Sequence, residues 1–176
     1  MRDEAIQRAA LVFKLFDANG NGVLDTEDFD LMSERVLAVA TDSAQQDRQA
    51  LADSLRRYWD VLVGVLDANG DGVISPREFE ASVLDPERFA PTAAAFADAL
   101  AALGDPDGDG LIERPRILGL MTAIGFDASN TNALFDALGP DAGGRIAVTA
   151  WADGIRDYYT PDKAGIPGDH LVSLPG

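Results

Sequence analysis

The sequence predicts an all-α chain: four helix-loop-helix units in two pairs, compact, with short antiparallel bridges between paired loops. Two observations predict it. Short stretches built on Asp, Asn and Gly recur in one internal register, starting at residues 17, 67, 105 and 139. A repeat on this scale means copies of one supersecondary unit. Each stretch is flanked by segments whose apolar residues fall at three- and four-residue steps, the period of an amphipathic helix. Apolar residues make up 47% of the 176-residue chain. That is enough for a shared core, which the units need because one cannot bury its apolar face alone.

The first helix is expected over residues 3 to 16, with Ile6, Ala9, Ala10, Phe13 and Phe16 on one face. The first loop, residues 17–28, follows. Asp17, Asn19 and Asn21 stand at loop positions 1, 3 and 5, and Gly22 at position 6 permits a sharp turn. Val23 at position 7 offers its carbonyl, Asp25 stands at position 9 and Asp28 at position 12. Curling the backbone brings these oxygens to one point, which suits a hard cation such as Ca²⁺ that takes six to eight oxygen ligands at about 2.3–2.6 Å. Asp28 is one methylene shorter than glutamate, so this shell is expected to be smaller, weaker for Ca²⁺ and more tolerant of six-coordinate Mg²⁺.

The exit helix carries Phe29, Met32, Val36 and Val39, and Ser43 is a candidate cap for the next helix. That helix runs to Leu66, with Leu51, Leu55, Tyr58, Trp59, Leu62 and Leu66 as its apolar stripe. The second loop, residues 67–78, fills every position. Asp67, Asn69 and Asp71 give side-chain oxygens, Gly72 the turn, Val73 its carbonyl, Ser75 a direct or water-mediated contact, and Glu78 a bidentate carboxylate. This is the full EF-hand loop signature. Ile74 and Phe79 point at the core, and Pro76 suits a first helical turn. The exit helix, with Val83, is expected to stop at Asp85-Pro86, and a linker to reach Pro91.

A helix from about residue 92 to 103 then presents Phe96, Leu100 and Leu103. In the third loop, residues 105–116, Asp105, Asp107 and Asp109 hold positions 1, 3 and 5, Leu111 position 7 and Glu113 position 9, but Arg116 stands at position 12. A cation in place of the closing carboxylate argues against tight binding there, with Glu113 as partial compensation. The next helix uses Ile117, Leu120, Met121 and Ile124 and ends at Gly125. Asp127 or Ser129 caps a helix carrying Leu134, Phe135 and Leu138. The fourth loop, residues 139–150, keeps Gly144 and Ile146 in register, yet Asp141 is its only carboxylate, so no metal is expected. A last helix holds Trp151, Ile155, Tyr158 and Tyr159, before a tail rich in Pro and Gly.

The expected division is an N-terminal pair over 1–85, a C-terminal pair over 86–160 and a tail over 161–176, packed as one globule. Residues 23–25 should bridge residues 73–75, and residues 111–113 should bridge residues 145–147. The net charge of −16, from 30 acidic and 14 basic residues, argues against nucleic acid and favours a monomer at low ionic strength. With no cysteine and one histidine, His170, thiolate metal sites, zinc sites and histidine-dependent triads are not expected. No charged-then-apolar leader follows Met1 and no apolar run spans a bilayer, so the expected setting is the cytoplasm.

Taken together, the chain resembles the sarcoplasmic calcium-binding protein family, and more narrowly its bacterial calerythrin-like members. The wide interval between the loops at 17 and 67, Asp28 closing the first loop, and the ending Tyr158-Tyr159-Thr160-Pro161-Asp162 with Pro167-Gly168-Asp169 carry the resemblance. It implies a compact helical fold, Ca²⁺ at two or three sites, and buffering or transport of the ion. Arg116 and the emptied fourth loop depart from the pattern. The leading expectation is therefore an intracellular Ca²⁺ buffer. The alternative is a sensor that changes shape and binds a target protein, for which the chain offers few methionines, Met32 and Met121 beyond Met1. A luciferin-binding photoprotein is a third reading, weakened by the lone His170 in the tail. No enzymatic activity is expected, since the carboxylates gather in metal loops rather than across a cleft.

Overall fold

A computed structural model describes residues 3–81, 86–160 and 162–172. Helix α1 (Asp3–Phe16) enters the first loop and α2 (Thr26–Val39) leaves it. Helix α3 (Gln45–Leu66) enters the second loop and α4 (Pro76–Glu80) leaves it. Helix α5 (Pro86–Leu103), strand β1 (Leu111–Glu113) and α6 (Arg114–Ile124) form the third unit. Helix α7 (Ala128–Ala137), strand β2 (Arg145–Ala147) and α8 (Val148–Tyr158) form the fourth. A 3₁₀ helix (Pro167–Val172) follows.

Paired loops meet at the expected residues. Leu24 and Ile74 exchange both backbone hydrogen bonds, at 2.8 and 2.9 Å. Strands β1 and β2 are antiparallel, with Leu111 opposite Ala147, Ile112 opposite Ile146 and Glu113 opposite Arg145. Leu24, Ile74, Ile112 and Ile146 are buried. Burying such a side chain is worth about 1.5–3 kcal/mol, so each bridge is fastened by a packed pair as well as by backbone bonds.

The stripe of α3 is buried throughout: Leu51, Leu55, Tyr58, Trp59, Leu62 and Leu66. Helix α3 packs on α5, α2 on α6 and α5 on α8. The contacts join both halves into one apolar cluster. At its centre Tyr58 meets Phe16, Phe29, Phe96 and Tyr159 with ring centroids 5.5–6.3 Å apart.

Four expectations need correction. Helix α1 buries Ala5, Arg8, Val12 and Phe16, while Ile6 is 45% exposed. The helix is turned because Arg8 lies on the inward face and binds the returning tail. Arg8 Nε donates to the Tyr158 carbonyl, Nη2 to the Thr160 and Lys163 carbonyls, and Nη1 to Asp169 at 2.7 Å. Val39 ends α2 and is 43% exposed, because the packed face is already complete at Val36. Ser43 does not cap α3, which starts after Ala44 with no side-chain cap; its hydroxyl accepts instead from Arg116 at 2.8 Å. The linker up to Pro91 is helical, and Pro91 lies inside α5. Phe89, Ala93, Phe96, Leu100 and Leu103 form one continuous buried stripe there. Five buried residues on that stripe outweigh the one hydrogen bond that proline cannot donate. Val83 and Asp85 lie outside the described residues.

Elsewhere the punctuation is as read. Gly125 ends α6 at φ 118° with its N–H on the Met121 carbonyl, and Asp127 caps α7 by accepting from Asn130 N at 3.0 Å. The tail folds back on α7, α1 and α8, burying Gly168 and Leu171 and leaving His170 exposed.

Candidate metal centres

The first three loops are wound by one hydrogen-bond scheme. In the first, Asp17 accepts from Asn21 N (3.0 Å) and Gly22 N (2.9 Å), Asn19 Oδ1 from Asn21 N, and Asn21 Oδ1 from Val23 N. In the second, Asp67 accepts from Asp71 N (3.1 Å) and Gly72 N (2.9 Å), Asn69 Oδ1 from Asp71 N, and Asp71 Oδ1 from Val73 N. Short side chains thus grip amides two to five residues ahead and hold positions 1, 3 and 5 on the concave side of the turn. Gly22 and Gly72 sit at φ 87° and 81°, a left-handed backbone that a Cβ would strain.

Positions 9 and 12 join each loop to its exit helix. Asp25 is the N-cap of α2 and accepts from Glu27 N and Asp28 N. Asp28 is wholly buried; it accepts from Asn19 N at 3.1 Å and Asp25 N at 2.9 Å, so its carboxylate lies across the loop from position 3 to position 9. Burial raises its pKa above the ordinary aspartate value, opposed by those two N–H groups. Glu78 makes a similar span, from position 2 to position 9: Oε1 accepts from Ala68 N (3.1 Å), and Oε2 from Ser75 N (2.9 Å) and Ser75 Oγ (2.8 Å). The Ser75 donors pull the Glu78 pKa below the ordinary glutamate value. The Ser75 hydroxyl is therefore directed at Glu78.

The third loop repeats the winding. Asp105 accepts from Asp109 N and Gly110 N, and Asp109 from Leu111 N. One oxygen from each of Asp105, Asp107 and Asp109 lies within 4.8 Å of the others. Arg116 leaves position 12 without a carboxylate. Its guanidinium is held by the Leu103 and Val39 carbonyls, Ser43 Oγ and Asp42. The sequence reading missed a second arginine here: Arg145 stands 3.7 Å from Asp109 and 3.8 Å from Asp141. The signal for it was the bridge register, which sets position 145 opposite position 113 beside an acidic loop. In the fourth loop Asp141 Oδ1 accepts from Gly143 N and Arg145 N, the geometry of a tight hairpin turn.

Hydrogen bonds wind Asp17, Asn19, Asn21, Asp25 and Asp28 into the first loop and Asp67, Asn69, Asp71, Ser75 and Glu78 into the second, whereas among the described residues three carboxylates lie within 4.8 Å of one another only in the third loop. The Val23 and Val73 carbonyls belong to the same turns. Every donor is oxygen, and the donor set fits a hard divalent cation of the Ca²⁺ or Mg²⁺ kind. A separate apolar cavity of about 40 Å³ lies among Phe16, Phe96, Met121, Trp151, Tyr158 and Leu171. That is room for a few water-sized spheres.

The comparisons agree with this construction. The EF-hand model matches residues 9–33 and 64–84. A search of curated proteins finds no match. Among solved structures, a calcium-binding protein of Streptomyces coelicolor, studied for prokaryotic calcium-mediated regulation, is 29% identical with a TM-score of 0.74; the match covers 90% of this chain and 99% of that one. The sarcoplasmic calcium-binding protein of amphioxus is 20% identical with a TM-score of 0.67, each chain covered in full. The ctenophore photoprotein berovin, whose three Ca²⁺-binding loops all bind magnesium ions, is 17% identical with a TM-score of 0.65, covering 86% of each chain. At that identity berovin shares the fold alone. Residues 9–33 and 64–84 thus carry EF-hand motifs, and the chain is similar in fold to calcium-binding proteins, the amphioxus sarcoplasmic protein among them.

Proposed function

We propose that the chain binds Ca²⁺ at the first and second loops and acts as an intracellular Ca²⁺ buffer, with the first loop also accepting Mg²⁺. The observation that carries this reading is the span of both closing carboxylates, Asp28 and Glu78, each fastened to an amide early in its loop and to the amide at position 9. The cation supplies the positive charge that these oxygens lack in its absence. The chain's residues do the rest. Side chains at positions 1, 3 and 5 are prearranged by loop amides, which lowers the ordering cost of binding. The net charge of −16 raises the local cation concentration. The shorter Asp28 supports a smaller shell at the first loop, the geometry that Mg²⁺ tolerates. A cytoplasmic, monomeric setting is part of the proposal and rests on the sequence alone.

A buffer has no need to open. Met32 and Met121 are buried, and among the described residues the exposed large apolar side chains are Ile6 and Val39. The sensor reading has one observation in its favour, the likeness to a Streptomyces protein studied for calcium-mediated regulation. Apolar-dye fluorescence separates the two. A buffer predicts that Ca²⁺ added to metal-stripped protein leaves dye fluorescence level or lowers it, and that millimolar-scale Mg²⁺ weakens Ca²⁺ uptake at one site. A several-fold rise in dye fluorescence on Ca²⁺ addition establishes the sensor instead.

A further inference from the structure

We propose that Arg116, which occupies the closing position of the third loop, is a positioning residue for the cation site of the first loop. This rests on the reading that the first loop binds Ca²⁺. The guanidinium sits between two helix ends. Its Nε donates to the Leu103 carbonyl at the end of α5 (2.8 Å), and its Nη1 to the Val39 carbonyl at the end of α2 (3.3 Å). The same Nη1 lies 2.8 Å from Asp42, and Nη2 donates to Ser43 Oγ at 2.8 Å. Carbonyls at a helix C-terminus lack intrahelical donors and carry partial negative charge, so one cation satisfies both ends at once. The residue that would have closed a metal shell in its own loop instead ties that loop to the exit helix of the first.

Helix α2 is the element through which the effect passes. Asp28 lies in its first turn, and its last turn ends at Arg116. Two further arginines hold the same helix: Arg48 donates to the Leu37 and Ala40 carbonyls, and Arg35 to the Ala18 carbonyl in the first loop. The pose of α2 matters more to this loop than the pose of α4 does to the second. Asp28 is one methylene short, so its reach is set by where the helix stands, whereas Glu78 has the length to reach on its own. Arg116 fixes that stance from the far end, with α2 packed along α6 between the two points.

The test is calorimetric titration of the metal-stripped full chain with Ca²⁺, comparing wild type with Arg116→Met, which keeps an apolar stem and removes the guanidinium. The proposal predicts first-site affinity lowered about three- to tenfold with the second site unchanged, the range for residues that couple sites without touching the ligand. Ser43→Ala and Asp42→Asn, which loosen the same tie from the other side, should shift the first site alone in the same direction, and they serve if Arg116→Met does not fold. Combined with Arg116→Met they should add little more. Equal weakening of both sites means a general loss of stability and overturns the proposal, as does no change at either. Asp28→Ala in the same series tests the underlying reading separately. If it leaves every binding heat intact, the first loop is not the site and the proposal falls with it; if it removes one site while Arg116→Met removes nothing, only the positioning role is lost.

Discussion

Asp28 and Glu78 hold the same position in their loops, and their surroundings shift their pKa values in opposite directions. Asp28 is buried, and desolvation raises its pKa; Glu78 is held down by the Ser75 amide and hydroxyl. The signs follow for the metal-free protein. Asp28's contribution to stability is fully present below the unfolded-state value and is lost as the pH rises through its raised folded value. Glu78's contribution is present above its unfolded-state value and lost as the pH falls through its lowered folded value. A proton and a cation compete for the same oxygens, so acid should weaken cation binding at the first loop while the pH is still above the ordinary aspartate value of 3.8. Carboxylate ¹³C titration of the metal-free protein should place Asp28 above 3.8 and Glu78 below 4.5. A midpoint for Asp28 at or below the ordinary value would remove the argument that burial dominates there.

Elements were legible where their pattern is local. The α3 stripe, the caps at Asp127 and Gly125, and the bridge pairs Leu24 with Ile74 and Ile112 with Ile146 all follow from period and loop register. The winding of the loops was legible for the same reason, since twelve consecutive positions carry the pattern. What escaped depends on partners far along the chain. Arg8 appears polar in an otherwise apolar face until Asp169 and the Tyr158, Thr160 and Lys163 carbonyls arrive from the tail. Pro91 reads as a break until the stripe from Phe89 to Leu103 is seen packed against α3 and α8. Ser43 has a cap's composition, yet Arg116 claims its hydroxyl. The tail clamp makes a prediction at this scale. Arg8→Ala removes a buried cation from four acceptors and should cost about 2–4 kcal/mol, read as a lower midpoint in denaturant. Asp169→Asn should cost less, because the three backbone carbonyls keep their donor. Equal stability in all three proteins would show that the tail is held by Leu171 and its packing alone.

At the scale of the molecule the two halves differ in the residues at their loop positions. The first pair of loops keeps its closing carboxylates, whereas in the second pair arginine stands in or beside the ligand set: Arg116 at a closing position and Arg145 between Asp109 and Asp141. The second pair is joined by the β1–β2 bridge, and its entering helix α5 packs on α3, whose end opens the second loop. Calorimetric titration of metal-stripped protein with Ca²⁺, run on wild type, Asp28→Ala and Glu78→Gln, tests the account most directly. It predicts two binding events, one lost with each substitution, and about a tenfold or greater loss of affinity at the loop that is altered. A binding event that survives in both variants would locate a site in the third loop despite Arg116. Absence of any binding heat, with no shift in thermal midpoint on adding Ca²⁺, would contradict the account outright.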